Sequence, residues 1–202
     1  MLVQERFQDY NKQHCWQYEI RLQNLEDDLK EIGLSKTEAE QLRTSDFNFA
    51  YVDKTDKETC TEIKQFIKRH EWLGKLPIWL THRFVVRHTK TKAIAGVVIM
   101  ATPNTFSNLL GEENKGIEKL ISRGACISWA PKNLGSWMIT KSINWMIQNT
   151  DFRYFTAYSD PEAKELGTIY QACNFYYLGQ TFGAGKQFLD PDNLERGWFG
   201  SS

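Results

Sequence analysis

The sequence predicts a mixed α+β fold, and three observations carry that prediction. Runs that alternate apolar and polar residues are interleaved with segments of helical period. Glycine or proline stands at most of the junctions between them. No stretch approaches the ~20 consecutive apolar residues that span a bilayer. With 202 residues, 41% of them apolar, the chain can build one sizeable core. The expected organisation is a helical arm over 1–45 and one domain over 46–202.

The arm comes first. Val3 to Leu29 is charged, glutamine-rich and free of Gly and Pro, with Phe7, Tyr10, Cys15, Tyr18, Leu22, Leu25 and Leu29 recurring at helical steps. Gly33 stops this helix, and Ser35 with Glu38 three places on forms a capping box that restarts it. Such an arm can dock on the core, pair with a second copy as a homodimer, or recruit a partner.

"FNFAYVD" (47–53) alternates as a strand does, and "KETCTEIKQFIKRHEWLG" (57–74) carries Ile63, Phe66, Ile67 and His70 at helical spacing before Gly74. "WLTHRFVVRH" (79–88) and "AIAGVVIMA" (93–101), joined by "TKTK", predict an antiparallel hairpin. A variable loop, "TPNTFSNLLGEENKG", follows. "EKLISRGACISWAP" (118–131) reads as a long strand with a bulge at its glycine. "KNLGSWMITKSINWMIQNT" opens a helix at Leu134, Gly135 and Ser136. "FRYFTAYS" (152–159) is the next strand, "ELGTIYQACNFYYLG" (165–179) the next helix with Thr168 as its cap, and "QTFGAGKQFLDP" a glycine-rich turn or final strand.

Charge and cysteine content narrow the function classes. Twenty-five basic and 25 acidic residues cancel overall. They are unevenly placed: residues 63–92 hold Lys64, Lys68, Arg69, Lys75, Arg83, Arg87, Lys90 and Lys92 against Glu71 alone. That patch suits an anionic polymer or a cofactor's phosphates, and equally a solvated edge strand. Cys15, Cys60, Cys126 and Cys173 are far apart, with no CxxC pair and no zinc-finger spacing, so neither a disulfide framework nor a structural metal is indicated. No apolar N-terminal run resembles a signal peptide, and the expectation is a cytoplasmic protein without membrane attachment.

Four pieces look like parts of a site. In "WAPKNLGSW" a helix begins where a strand ends, and its free N–H groups suit a phosphate, although the GxxxxGK[ST] spacing of a P-loop is absent. In "YSDPEAKELG" Asp160 follows a strand and Pro161 turns the chain, which leaves a carboxylate at the sheet's edge or merely an Asx turn. In "GTIYQACNFYYLG" Tyr170 and Asn174 share a helical face, where a tyrosine can serve as an acid, a stacking platform or core. In "KRHEWLG" His70 can accept a proton or cap the helix, with Glu71 beside it as a carboxylate alternative.

In this order, "KRHEWLG", "APKNLGSW" and "YSDPEAKELGTIYQACNFYYLG" resemble the Mom family of phage DNA-modification proteins, a branch of the GNAT acyl-CoA N-acyltransferase fold. The resemblance covers roughly residues 46–185. It implies a splayed central mixed sheet flanked by helices, with the pyrophosphate of acetyl-CoA or another acyl-CoA at Lys132, Asn133, Leu134, Gly135 and Ser136. The R/QxxGxG/A loop usual in GNAT enzymes is replaced here by a stretch with one glycine. Matched position by position, the resemblance suggests His70, Ser136, Asp160 and Tyr170 as catalytic. It implies a carbamoylmethyl or acyl-type group placed on adenine N6 of double-stranded DNA, which shields phage DNA from host restriction.

That chemistry has definite needs. The lone pair of adenine N6 is delocalised into the ring, so the enzyme must hold the amine close and take its proton, which Asp160 or His70 can do. Tyr170 can orient a thioester or protonate its leaving thiolate. The base must leave the duplex, and Trp72 and Tyr176 can stack on it. Lys68, Arg69, Lys75, Arg83 and Arg87 would take the DNA backbone. Rival readings are an acetyl-CoA-dependent N-acetyltransferase of a small amine or protein, a non-catalytic phage DNA-binding module, and an interaction protein recruited through residues 1–45.

Overall fold

A computed structural model of the protein describes residues 15–103, 111–179, 187–189 and 198–200. Its centre is a five-stranded sheet in the order β1-β2-β3-β4-β5, built from β1 (Phe47–Val52), β2 (Leu80–His88), β3 (Ile94–Ala101), β4 (Glu118–Cys126) and β5 (Tyr154–Ala157). The first four strands pair antiparallel, and β5 runs parallel to β4. The predicted hairpin is β2–β3, in which Val85 faces Val97.

Two helices cover opposite faces. On β2 the adjacent residues Val86 and Arg87 point to opposite sides of the pleat. Arg87 makes an ion pair with Glu62 of α3 (Lys57–His70). Val86 pairs with Gly96, against which lies Met138 of α4 (Leu134–Asn149). Leu134, Met138 and Met146 of α4 are fully buried, and each such side chain contributes about 1.5–3 kcal/mol. Asp56 caps α3 by accepting from Thr59 N–H at 3.0 Å. α3 presents Ile63, Phe66 and Ile67 to the core.

The arm is docked on this core. Its first fourteen residues lie outside the described part. From Trp16 to Ile32 the chain is helix α1, which ends at Gly33 with φ +67° as glycine punctuation requires. Ser35 and Glu38 form the expected capping box at the start of α2 (Lys36–Gln41). Arg21 donates to the carbonyls of Ser128 and Ala130 at 2.9 and 3.2 Å. Asn24 donates to the carbonyl of Arg69 at 3.2 Å, so the arm spans both α3 and the chain beyond β4.

Several expected boundaries shift. β4 ends at Cys126 rather than 131, because the chain turns through Ile127–Ala130. The bulge falls two residues before Gly124: Ile99 pairs with Arg123 and Met100 with Ile121, which leaves Ser122 without a partner. The helix expected over 165–179 contracts to α5 (Thr168–Gln171). Its cap position is Gly167, with φ +66°, and Thr168 is the first helical residue. Asn174 takes φ +61°, which ends the helical turns, so Tyr170 and Asn174 do not share a helical face. Of the final stretch, 180–186 lies outside the described residues, and β6 (Gln187–Leu189) pairs antiparallel with β7 (Trp198–Gly200).

Candidate functional site

The parallel pair β4–β5 holds together for only four residues, from Glu118↔Tyr154 to Ile121↔Ala157. There β5 ends, while β4 continues beside β3 to Cys126. The unpaired Ser122 sits at this point of divergence. A bulge bends its strand and increases the local twist, which gives the splay a physical cause. A cleft of about 1810 Å³ opens between the diverging strands. This exceeds the ~300–1,000 Å³ of a typical small-molecule pocket and leaves room for two reactants.

Asp160 and Tyr170 both line this cleft. After β5 the chain makes a compact turn in which Asp160 Oδ1 accepts from Glu162 N–H at 2.9 Å, the Asx turn expected of Asp-Pro. The turn closes through Glu165 N–H on the Asp160 carbonyl at 3.0 Å. Asp160 N–H donates in return to Glu165 Oε2 at 3.1 Å. Gly167 then reverses the chain, and a Cβ there would lie 2.6 Å from Ser159 Oγ. Burial, and after it the negative charge of Glu165, raise the Tyr170 phenol well above its ordinary pKa, so it stays a proton donor. Tyr176, Tyr177 and Leu178 continue along the cleft with their side chains largely in water, Tyr176 being 92% exposed.

Beside them stand two groups that the sequence motifs did not assign to the site, Glu165 and Arg123, and Glu71, expected as the carboxylate alternative to His70. Glu165 accepts from Trp72 Nε1 at 3.0 Å as well as from Asp160 N–H. Glu71 is buried and accepts from Gly74 N–H at 2.8 Å. Arg123, on the residue after the bulge, donates from Nε to the Lys75 carbonyl at 3.0 Å. Burial is the main cause that raises the pKa of both glutamates, and the Arg123 charge opposes it at each. Glu165 lies within "YSDPEAKELG" and Glu71 within "KRHEWLG", but Arg123 has only its place beside Gly124 to mark it. Trp72, expected to stack on a base, lines the cleft and packs edge-on against Trp16 at 5.3 Å.

His70 and Ser136 do not line the cleft. His70 is buried with its ring 4.5 Å from that of Phe66, and its Nδ1 is 3.7 Å from Asp28 of the arm. Burial lowers its pKa, with the Asp28 charge opposing. Ser136 Oγ donates to the Asn133 carbonyl at 3.2 Å inside the helix start. Of the five predicted DNA contacts, Lys68 and Lys75 are exposed and Arg83 is half-buried. Arg69 is paired with Asp28 and Glu31, and Arg87 with Glu62.

The start of α4 fits an acyl-CoA phosphate in its chemistry. Asn133 takes φ +73° and no side chain caps the helix, while Lys132 stands exposed just before it. Gly135 faces Ile169: a Cβ there would be 2.7 Å from Ile169 Cδ1 and 3.5 Å from Cys126 Sγ. Among the described residues there is no cluster of metal-ligating side chains, and no helix is long and apolar enough to cross a membrane.

Comparison with solved structures agrees with this architecture. An aminoglycoside acetyltransferase from an uncultured soil metagenomic sample, in complex with sisomicin, is 12% identical with a TM-score of 0.53, over 71% of this chain and 97% of that one. The aminoglycoside N-acetyltransferase AAC(6')-Iy in complex with CoA is 13% identical with a TM-score of 0.48, over 69% and 94%. The fold is the GNAT acyltransferase fold that the resemblance implied. No curated protein matches the sequence. The model of the Mom protein family matches residues 50–190, well over half of the length, and the chain therefore belongs to the Mom protein family.

Proposed function

We propose that this chain modifies DNA, transferring a carbamoylmethyl or acyl-type group from an acyl-CoA-type donor to adenine N6, and that in phage DNA the mark blocks host restriction. The observation that carries this reading is that Asp160 and Tyr170 line one cleft at the opening between β4 and β5. Family membership supports the same reaction class.

In this reading Lys132, Asn133 and the first residues of α4, Leu134 to Ser136, hold the donor's phosphates. The bound donor supplies an electrophilic carbon. The cleft supplies the rest. Its carboxylates receive the amine's proton, and Tyr170, held protonated by burial, donates a hydrogen bond to the reacting group. Tyr176 and Tyr177 present faces on which a flipped base can stack. Of the five side chains expected to meet the backbone, Lys68, Lys75 and Arg83 are left to do so once Arg69 and Arg87 are paired.

The test is mass spectrometry of nucleosides from plasmid DNA of cells expressing the chain, with Asp160→Ala as the control. An adenine adduct lost in the control supports the reading, and its mass identifies the group. Unmodified DNA would move the assignment to N-acylation of a small amine or protein.

A further inference from the structure

We propose that Glu165 is the group that takes the proton from the attacking amine, an assignment that rests on the transfer reaction proposed above. A general base needs a carboxylate that faces the reactants, stays in one orientation and keeps a lone pair free. Glu165 lines the cleft beside Tyr170 and is half-buried. Its two oxygens are oriented from two different parts of the chain, Oε1 by Trp72 Nε1 and Oε2 by Asp160 N–H. A carboxylate accepts about four hydrogen bonds, so each oxygen retains acceptor capacity for the amine.

The alternatives are less suited. Asp160 is oriented at one oxygen alone, Oδ1, which accepts from Glu162 N–H. His70 lies under the arm against Asp28. Glu71 is buried deeper than Glu165 and closes the loop to Gly74. The Glu165 charge adds to burial in raising the pKa of Glu71, the Asp160 charge adds to burial in raising that of Glu165, and the Arg123 charge opposes the shift at both glutamates.

The step balances with an acyl thioester as donor. The N6 lone pair forms the N–C bond, and the C–S bond breaks with its electron pair leaving on sulfur. The N–H proton passes to Glu165 and then, through solvent, to the thiolate, so amine and thioester become amide and thiol.

The orienting elements extend into the arm. Trp72 N–H donates to Gln17 Oε1 at 3.3 Å, and Trp16 N–H donates to the carbonyl of Ala163, in the Asp160–Glu165 turn, at 3.3 Å. Gln17 Nε2 also donates to the His70 carbonyl. Both partners of Glu165 are thus held in place by adjacent arm residues.

The experiment compares adduct levels on plasmid DNA from cells expressing the unaltered chain, Glu165→Gln and Glu165→Asp. It then follows the rate against pH for the purified full-length chain, with plasmid DNA and the low-molecular-weight extract of the same cells as the source of donor. Glu165→Gln is expected to lower modification by about 100-fold or more. Glu165→Asp is expected to recover part of it. The low-pH limb of the rate should move up in Trp72→Phe, which loses a donor that lowers the pKa of the carboxylate. A merely structural role would depress the rate at every pH and leave the limb in place. Modified DNA with Glu165→Gln at the unaltered level overturns this assignment alone. DNA left unmodified by the unaltered chain overturns the functional reading and the assignment with it.

Discussion

Arg69 Nη2 lies 2.6 Å from Asp28 Oδ1, with the arginine side chain 42% exposed and the aspartate 1% exposed. A cation expected to face DNA is therefore bound to the arm, and the same contact fixes α1 on α3. Because Arg69 reaches water, the pair anchors the arm by about 1–3 kcal/mol rather than by the full cost of a buried charge. Asp28→Ala should lower the urea midpoint accordingly, and an unchanged midpoint would show that the arm is held by other contacts.

Salt dependence separates the paired from the unpaired cations. Each phosphate contact adds about 0.9 to the slope of log affinity against log salt on duplex DNA. Lys68→Ala with Lys75→Ala should flatten the slope by up to about 1.8 if both meet phosphate. Arg87→Ala, already engaged with Glu62, should change it little. A filter-binding series at rising salt that shows the reverse order would place the DNA elsewhere.

The close approach of α4 to the sheet depends on Gly96. A Cβ at this position would lie 2.6 Å from Met138 Sδ, and Met138 is buried. Gly96→Ala should cost about 1–3 kcal/mol through overpacking. Thermal unfolding of Gly96→Ala with Met138→Ala tests the cause: the second substitution should cost less in that background than alone. Simple additivity would refute the clash.

Gly167→Ala addresses the site rather than the core. At φ +66° an alanine is strained by about 1 kcal/mol, and its Cβ would collide with Ser159 Oγ beside Asp160. Modification should fall at least tenfold with a small loss of stability. Normal modification would show that the turn tolerates displacement.

Stability should decline as the pH drops below the ordinary histidine value. Burial lowers the pKa of His70 and His82, so the unfolded chain binds protons first. Their contribution is complete above about pH 6.5 and is lost as pH falls toward the depressed folded values. Glu71 and Glu165 act in the opposite sense, since their raised folded pKa values make protonation favour the fold, starting from higher pH than for a free glutamate. His82→Gln should therefore reduce the decline between pH 7 and 6, measured by urea unfolding at each pH. An unchanged slope would mean that His82 protonates alike in both states.

What the sequence determined by itself is the part written in interactions between near neighbours. Ser35 and Glu38 are three residues apart, and their capping box needs only that spacing. The β2–β3 hairpin, α3 and α4 follow from alternation and helical period in the same way, and the motif around Asp160 and Tyr170 is legible enough to point to the family. The long helix expected over 165–179 does not form because spacing of aromatics is a weaker determinant than the left-handed backbone at Gly167 and Asn174. Only the tertiary structure decided the charge partners and the shape of the site. Asp28 finds Arg69 across 41 positions and Trp72 finds Glu165 across 93. Nothing local records such distances: the antiparallel ladder, the bulge at Ser122 and the parallel strand β5 bring these side chains together, so their roles follow from topology rather than residue type.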